Sequence, residues 1–228
     1  MPSSTPRVRA VIALLYLCLA AGTANAGQAL SPASAGCPAN TLSIPGGANQ
    51  TEVPDLDGDG QGDVLWMASG NRLGVTTHGG ATFSTTYQTA EASQVGARTL
   101  TLGDGTPMIL FGGSRFTKLY AVRGCHIVPT LNKQGKQYAF DNGFATEGSG
   151  WGCMTVDGRL RLVGLQITST GEAKRYAITR TLIEVRDHGA SARNGTRSQV
   201  FRGLSHDEAR AHLARRFECP ASERVMDP

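Results

Sequence analysis

From residue 51 onward, no apolar run is longer than a single β-strand, and glycine-containing turns separate the runs. This punctuation constrains the fold more than any other feature. Runs rich in Val, Thr, Ile and aromatic residues, bounded by Gly, Asp and Asn, predict short antiparallel strands. Strands are expected at 64–67, 73–77, 82–87, 99–102, 108–111, 118–122, 126–129, 160–167, 175–178 and 181–185. Trp66 and Trp151 each abut an expected strand and are read as core residues.

The runs echo one another. Val64-Leu65-Trp66, Met108-Ile109-Leu110 and Arg161-Leu162-Val163 each follow an Asp-Gly pair, at Asp59-Gly60, Asp104-Gly105 and Asp157-Gly158. Successive echoes are about 45 and about 53 residues apart, near the length of one four-stranded propeller blade. A lone blade cannot bury both faces, so blades stack. The expected fold is mainly β: a propeller-like stack of about three to four blade-like antiparallel sheets with one C-terminal helix. An ordinary meander with Asp-Gly turns is the alternative. The helix is signalled by Ser205 as N-cap with Glu208 three residues on, a capping box. Ala209, Leu213 and Phe217 then share one face, and Arg215 and Arg216 suit the negative end of the helix dipole. His206 and His212 are read as solvated helix residues.

The first 26 residues read as a secretory leader. Arg7 and Arg9 precede an apolar run at 11–21, and Ala24-Asn25-Ala26 forms a small-x-small cleavage site. Residues 27–50 read as an extended lead-in rich in Ala, Ser, Pro and Gly, 51–204 as the β domain, and 205–228 as helix and tail. No stretch after the leader reaches the about 18 apolar residues of a membrane span. Without the leader, the formal charge of +4 falls to about +2. The basic residues after Thr170 are interleaved with acidic ones, so no nucleic-acid partner is implied. Cys18 leaves with the leader. The remaining Cys37, Cys125, Cys153 and Cys219 are an even set whose spacings are wrong for zinc, and an oxidising compartment would pair them. The pairing expected is Cys125–Cys153 between neighbouring sheets, with Cys37–Cys219 strapping the two ends of the chain.

One segment carries chemistry. Asp55-Leu56-Asp57-Gly58-Asp59-Gly60-Gln61-Gly62-Asp63 holds four of the chain's ten aspartates. Carboxylates this close repel one another unless a cation lies among them. Calcium accepts six to eight oxygens at about 2.3–2.6 Å with loose geometry, whereas magnesium demands a tight octahedron. Asp55, Asp57 and Asp59 alternate inward, Gly60 permits a sharp bend, Gln61 offers its backbone carbonyl, and Asp63 closes the loop. An EF-hand is excluded, because its bidentate Glu would fall on Trp66 and a strand follows where a helix is needed.

The pattern D-x-D-x-D-G-x-x-D running into a strand, DLDGDGQGDVLWM over residues 55–67, resembles the FG-GAP/VCBS repeat. That repeat is the calcium-loop blade of integrin α-chain propellers and of many exported bacterial proteins. The resemblance implies one calcium ion on Asp55, Asp57, Asp59, Gln61 and Asp63, with a role in rigidifying the hairpin. The echoes at Asp104 and Asp157 lack the other carboxylates and are expected to bind no metal.

No hydrolase elbow, H-E-x-x-H, P-loop or dinucleotide fingerprint is present. Gly148-Ser149-Gly150 reads as a loop, residues 193–197 as a polar turn, and His78, His126 and His188 as scattered surface positions. Asp141 and Glu147 are a weak carboxylate pair for glycoside chemistry. The functional expectation is a secreted, calcium-binding, non-enzymatic binding or adhesion-type module with a protein or glycan partner. The alternatives are a secreted hydrolase acting on glycans, or a purely structural envelope protein.

Overall fold

The computed structural model describes residues 36–89, 94–143, 148–214, 219–220 and 224–228. The leader, the lead-in up to residue 35, Glu147, Arg215, Arg216 and Phe217 lie outside the described residues. In chain order the elements are β1 (Asn49–Val53), β2 (Asp63–Ala68), β3 (Arg72–Thr76), β4 (Thr82–Thr86), β5 (Gly96–Thr101), β6 (Pro107–Gly112), β7 (Phe116–Arg123), β8 (His126–Pro129), β9 (Ala139–Asp141), β10 (Ser149–Val156), β11 (Arg159–Ser169), β12 (Tyr176–Arg186), β13 (Ser191–Leu204), α1 (His206–Ala214) and β14 (Val225–Met226).

The strands form three antiparallel sheets, each wound in chain order. The first is β1-β2-β3-β4, the central one is β5-β6-β7-β8, and the third is β10-β11-β12-β13. The central sheet gains β14 beside β5, and β9 pairs with the part of β7 that β8 leaves free. The three echoed triplets fall on the second strand of each run, and each Asp-Gly pair lies in the connection before it.

Alternation along the strands explains the stacking, because successive side chains point to opposite faces. On β6, Ile109 and Phe111 join Leu65, Met67, Leu73 and Val75 in a core shared with the first sheet. Met108 and Leu110 point the other way and join Trp151, Leu162 and Ile183 in a core shared with the third. The central sheet is therefore buried on both faces. The far face of the third sheet packs Val163, Leu165 and Ile178 against Ala209 and Leu213 of α1. Each large side chain buried in these layers stabilises the fold by about 1.5–3 kcal/mol. Trp66 lies outside all three clusters yet is 1 % exposed. Its ring covers Gly74, where a Cβ would fall 2.0 Å from Cζ2, and its indole N–H donates to Thr76 Oγ1.

The capping box forms: Ser205 N–H donates to Glu208 Oε2 at 2.8 Å, and the Glu208 N–H donates back to Ser205 Oγ. The helix histidines stay partly exposed and also touch the sheet. His206 packs on Tyr176 and His212 stacks on Phe201, so both lie against aromatic rings of the third sheet.

Three expectations are corrected. Residues 193–197 are part of β13 rather than a turn, and Ser149 and Gly150 begin β10 rather than lying in a loop. β13 ends the third sheet: apart from a bridge between Ser191 and Leu131, its one partner is β12, and Asn194, Thr196, Arg197, Gln199 and Arg202 are exposed. Its composition therefore resembles a loop. The segments 175–178 and 181–185 are one strand, β12, bent by register shifts against β13.

The disulfides pair Cys37 with Cys125 and Cys153 with Cys219, so neither expected bridge exists. The physical reason is the central sheet. Cys125 packs at the core between the first and central sheets, and Cys153 lies in the core on the opposite side. Cys153–Cys219 instead ties the segment after α1 to β10, within the sheet on which that helix packs. Two disulfides fit an oxidising compartment. Among the described residues, no helix is long and apolar enough to cross a membrane.

Candidate metal centre

Residues 54–62 connect β1 to β2, and Asp63 is the first residue of β2. Two glycines allow the loop to fold back on itself. Gly58 and Gly60 adopt φ of 86° and 84°, in the region that side-chain-bearing residues seldom occupy. The loop then winds around its own carboxylates. Asp55 Oδ1 accepts from the N–H groups of Asp57 and Gly58, and Asp55 Oδ2 accepts from Gly60 N–H at 2.8 Å. Asp57 Oδ1 accepts from Asp59 N–H, and Asp59 Oδ1 accepts from Gln61 N–H at 2.6 Å.

Asp63 is the buried member, 2 % exposed. One oxygen accepts from Leu56 N–H at 2.8 Å and the other from His78 N–H at 3.0 Å, so this carboxylate ties the loop to the chain beyond β3. Burial pushes its carboxyl above the ordinary range. The two backbone donors pull it back, and the neighbouring charges of Asp57 and Asp55 push it further up. A nearby cation would reverse the penalty that burial and like charge impose.

One carboxylate oxygen from each of Asp55, Asp57 and Asp63 lies within 4.8 Å of the other two. Oxygens on opposite sides of a single calcium ion stand about 4.6–5.2 Å apart, so one ion fits among the three. Each oxygen that accepts one backbone N–H keeps a second lone-pair direction, so these hydrogen bonds do not exhaust the donor set. The hard, oxygen-only chemistry suits calcium rather than a thiophilic metal. Asp59 stands beside this trio rather than within it, and Gln61 is exposed.

Two contributors were invisible to sequence reading. Cys37 N–H donates to Asp57 Oδ2 at 2.7 Å from twenty positions upstream, and His78 N–H reaches Asp63 from fifteen positions downstream. Both act through backbone groups, which leave no mark on residue type. The equivalent connections elsewhere gather no such cluster. Asp104 Oδ1 accepts from Thr106 N–H within its own turn, and Asp157-Gly158 form a two-residue hairpin turn.

Of the other candidates, Asp141 ends β9 and accepts from Gly143 N–H, and its suggested partner Glu147 lies outside the described residues. A separate open cleft of about 330 Å³ lies between the third sheet and the turn after β8. Its walls include Lys133, Gln134, Tyr138, Arg193 and Asn194. Tyr138 donates its hydroxyl to Asn194 there, and Arg193 is paired with Glu184. Compared with known proteins, the chain matches no family model, no curated protein and no solved structure.

Proposed function

We propose that this chain is an exported, non-enzymatic binding module of the FG-GAP/VCBS type, in which one calcium ion rigidifies the β1–β2 connection. The observation that carries the reading is the closeness of one carboxylate oxygen from each of Asp55, Asp57 and Asp63, all within 4.8 Å of one another. Asp59 and the Gln61 carbonyl complete the ligand set that the resemblance implies. The ion's role is structural: it offsets the mutual repulsion of the acids and locks the loop to β2. The two disulfides and the expected leader support export. The open polar cleft beside Lys133 and Arg193 gives the module a surface for a polar partner.

Calorimetric titration of the exported protein with calcium tests the reading. Binding at or below millimolar concentration is expected, with a rise in melting temperature that Asp57→Ala abolishes. An unchanged melting curve with calcium and with chelator would overturn it. Amino-terminal sequencing of the secreted protein checks the export step, with Gly27 as the expected first residue.

A further inference from the structure

The lead-in does more than precede the sheets. Cys37 N–H bonds Asp57 Oδ2, and Gly36 stands against the same loop. A Cβ at Gly36 would lie 2.8 Å from Asp59 Cβ, and 3.4 Å and 3.5 Å from carboxylate oxygens of Asp57 and Asp59. Two backbone units from outside the acidic motif therefore cover one side of it.

Their position is fixed by two anchors. Asn40 holds the segment to the start of β4: its N–H donates to the Gly80 carbonyl, and its side-chain amide exchanges hydrogen bonds with the Thr82 backbone. The stronger anchor is covalent: Cys37 is buried in the core between the first and central sheets and bonded to Cys125, 88 residues on, in the β7–β8 turn. A donor that holds a ligating carboxylate from outside the metal's own shell sets its orientation, and removing such a partner typically weakens metal affinity about 10–100-fold.

We propose that the Cys37–Cys125 disulfide is a positioning element of the cation site. By clamping Gly36 and Cys37 on the loop it presets the Asp57 carboxylate, so cation binding and this disulfide are thermodynamically linked. The inference rests on the calcium reading above. Linkage is reciprocal: if the disulfide tightens calcium binding by a given factor, calcium favours the disulfide by the same factor. The redox step is ordinary exchange. The two thiols give up two electrons and two protons as the Cys37–Cys125 bond forms. The sulfur–sulfur bond of one glutathione disulfide breaks, releasing two molecules of glutathione through a mixed disulfide.

Calcium titration of the exported protein and of Cys37→Ser/Cys125→Ser tests the clamp. The variant is expected to bind calcium about 10–100-fold more weakly, whereas Cys153→Ser/Cys219→Ser stays within about twofold of wild type. Equal affinity in wild type and a folded Cys37→Ser/Cys125→Ser variant overturns the inference. Should that variant not fold, Gly36→Ala keeps the disulfide and disturbs only the cover. Weaker binding is expected there, and unchanged affinity overturns the inference. In glutathione buffers, mass spectrometry of alkylated protein should show calcium raising the Cys37–Cys125 disulfide fraction, and no shift overturns the linkage. A wild type that binds no calcium removes the calcium reading and the clamp together. A wild type that binds, with variants that bind equally well, removes the clamp alone.

Discussion

In the first sheet the chain takes nine residues, 54–62, to pass from its first strand to its second; in the third sheet it takes two, Asp157 and Gly158. Both connections hold the same place in their sheets and both contain an Asp-Gly pair. In the third sheet Asp157 and Gly158 have φ of 50° and 72°, the backbone of a tight hairpin that matches strand twist. One carboxylate at such a turn has nothing to converge with. In the first sheet the extra length lets the loop bend back, so that acids two and eight positions apart meet. Asp-Gly is thus a turn device in all three sheets. It becomes part of a candidate ion site only where the connection is long enough to enclose one.

The two connections should differ most at Asp63. Asp63→Ala leaves the N–H groups of Leu56 and His78 without their acceptor beside a buried position. It is expected to cost about 3 kcal/mol in urea denaturation with chelator present. Asp157→Asn keeps a residue suited to positive φ and should change stability by no more than about 0.5 kcal/mol. Similar costs at the two positions would mean that the long loop has no special part in holding the fold.

The next effect is ligand-dependent. At one hundred times its dissociation constant, calcium should stabilise wild type by about 2.7 kcal/mol. Asp57→Ala should lose that increment, while Asp104→Asn and Asp157→Asn retain it. Retention by Asp57→Ala in calcium-dependent melting would place the ion elsewhere.

The smallest effect concerns the intermediate, five-residue connection of the central sheet. Burial pushes the Asp104 carboxyl up, but bonds from the Thr106 N–H and hydroxyl, with Arg161 nearby, outweigh it and hold the group below its ordinary value. Unfolded chains therefore take up this proton at higher pH than the folded protein does. The stabilisation is present above the ordinary carboxylate range and is lost as pH falls through the lowered value. Asp104→Asn should flatten that part of the acid limb of the stability profile. An identical acid limb in the variant would show that the turn bond carries no charge-dependent stability.

Much of this architecture was legible in the sequence where side chains have two distinct sides. The run 108–111 is a strand as expected, and its side chains alternate between two cores. The capping box at Ser205 and Glu208 was legible because it is local chemistry. The acidic loop was legible because its repulsion is written in residue type. Cysteine pairing was not, because it depends on which side of the central sheet each thiol reaches. β13 was missed because a polar edge strand containing Asn194 and Gly195 has the composition of a turn. The contributions of Cys37 and His78 to the loop were missed because a backbone N–H is common to nearly every residue.

The strand β14 beside β5 has a consequence for biosynthesis. Val225 pairs with Ala97, and Tyr87 donates its hydroxyl to Asp227 across 140 positions of chain. The central sheet thus takes in residues that leave the ribosome long after its strands β5 to β9 have been made. Contacts this distant close slowly. The pairing of Val225 with Ala97 therefore closes the central sheet late in the order of synthesis, whatever its other strands have already formed.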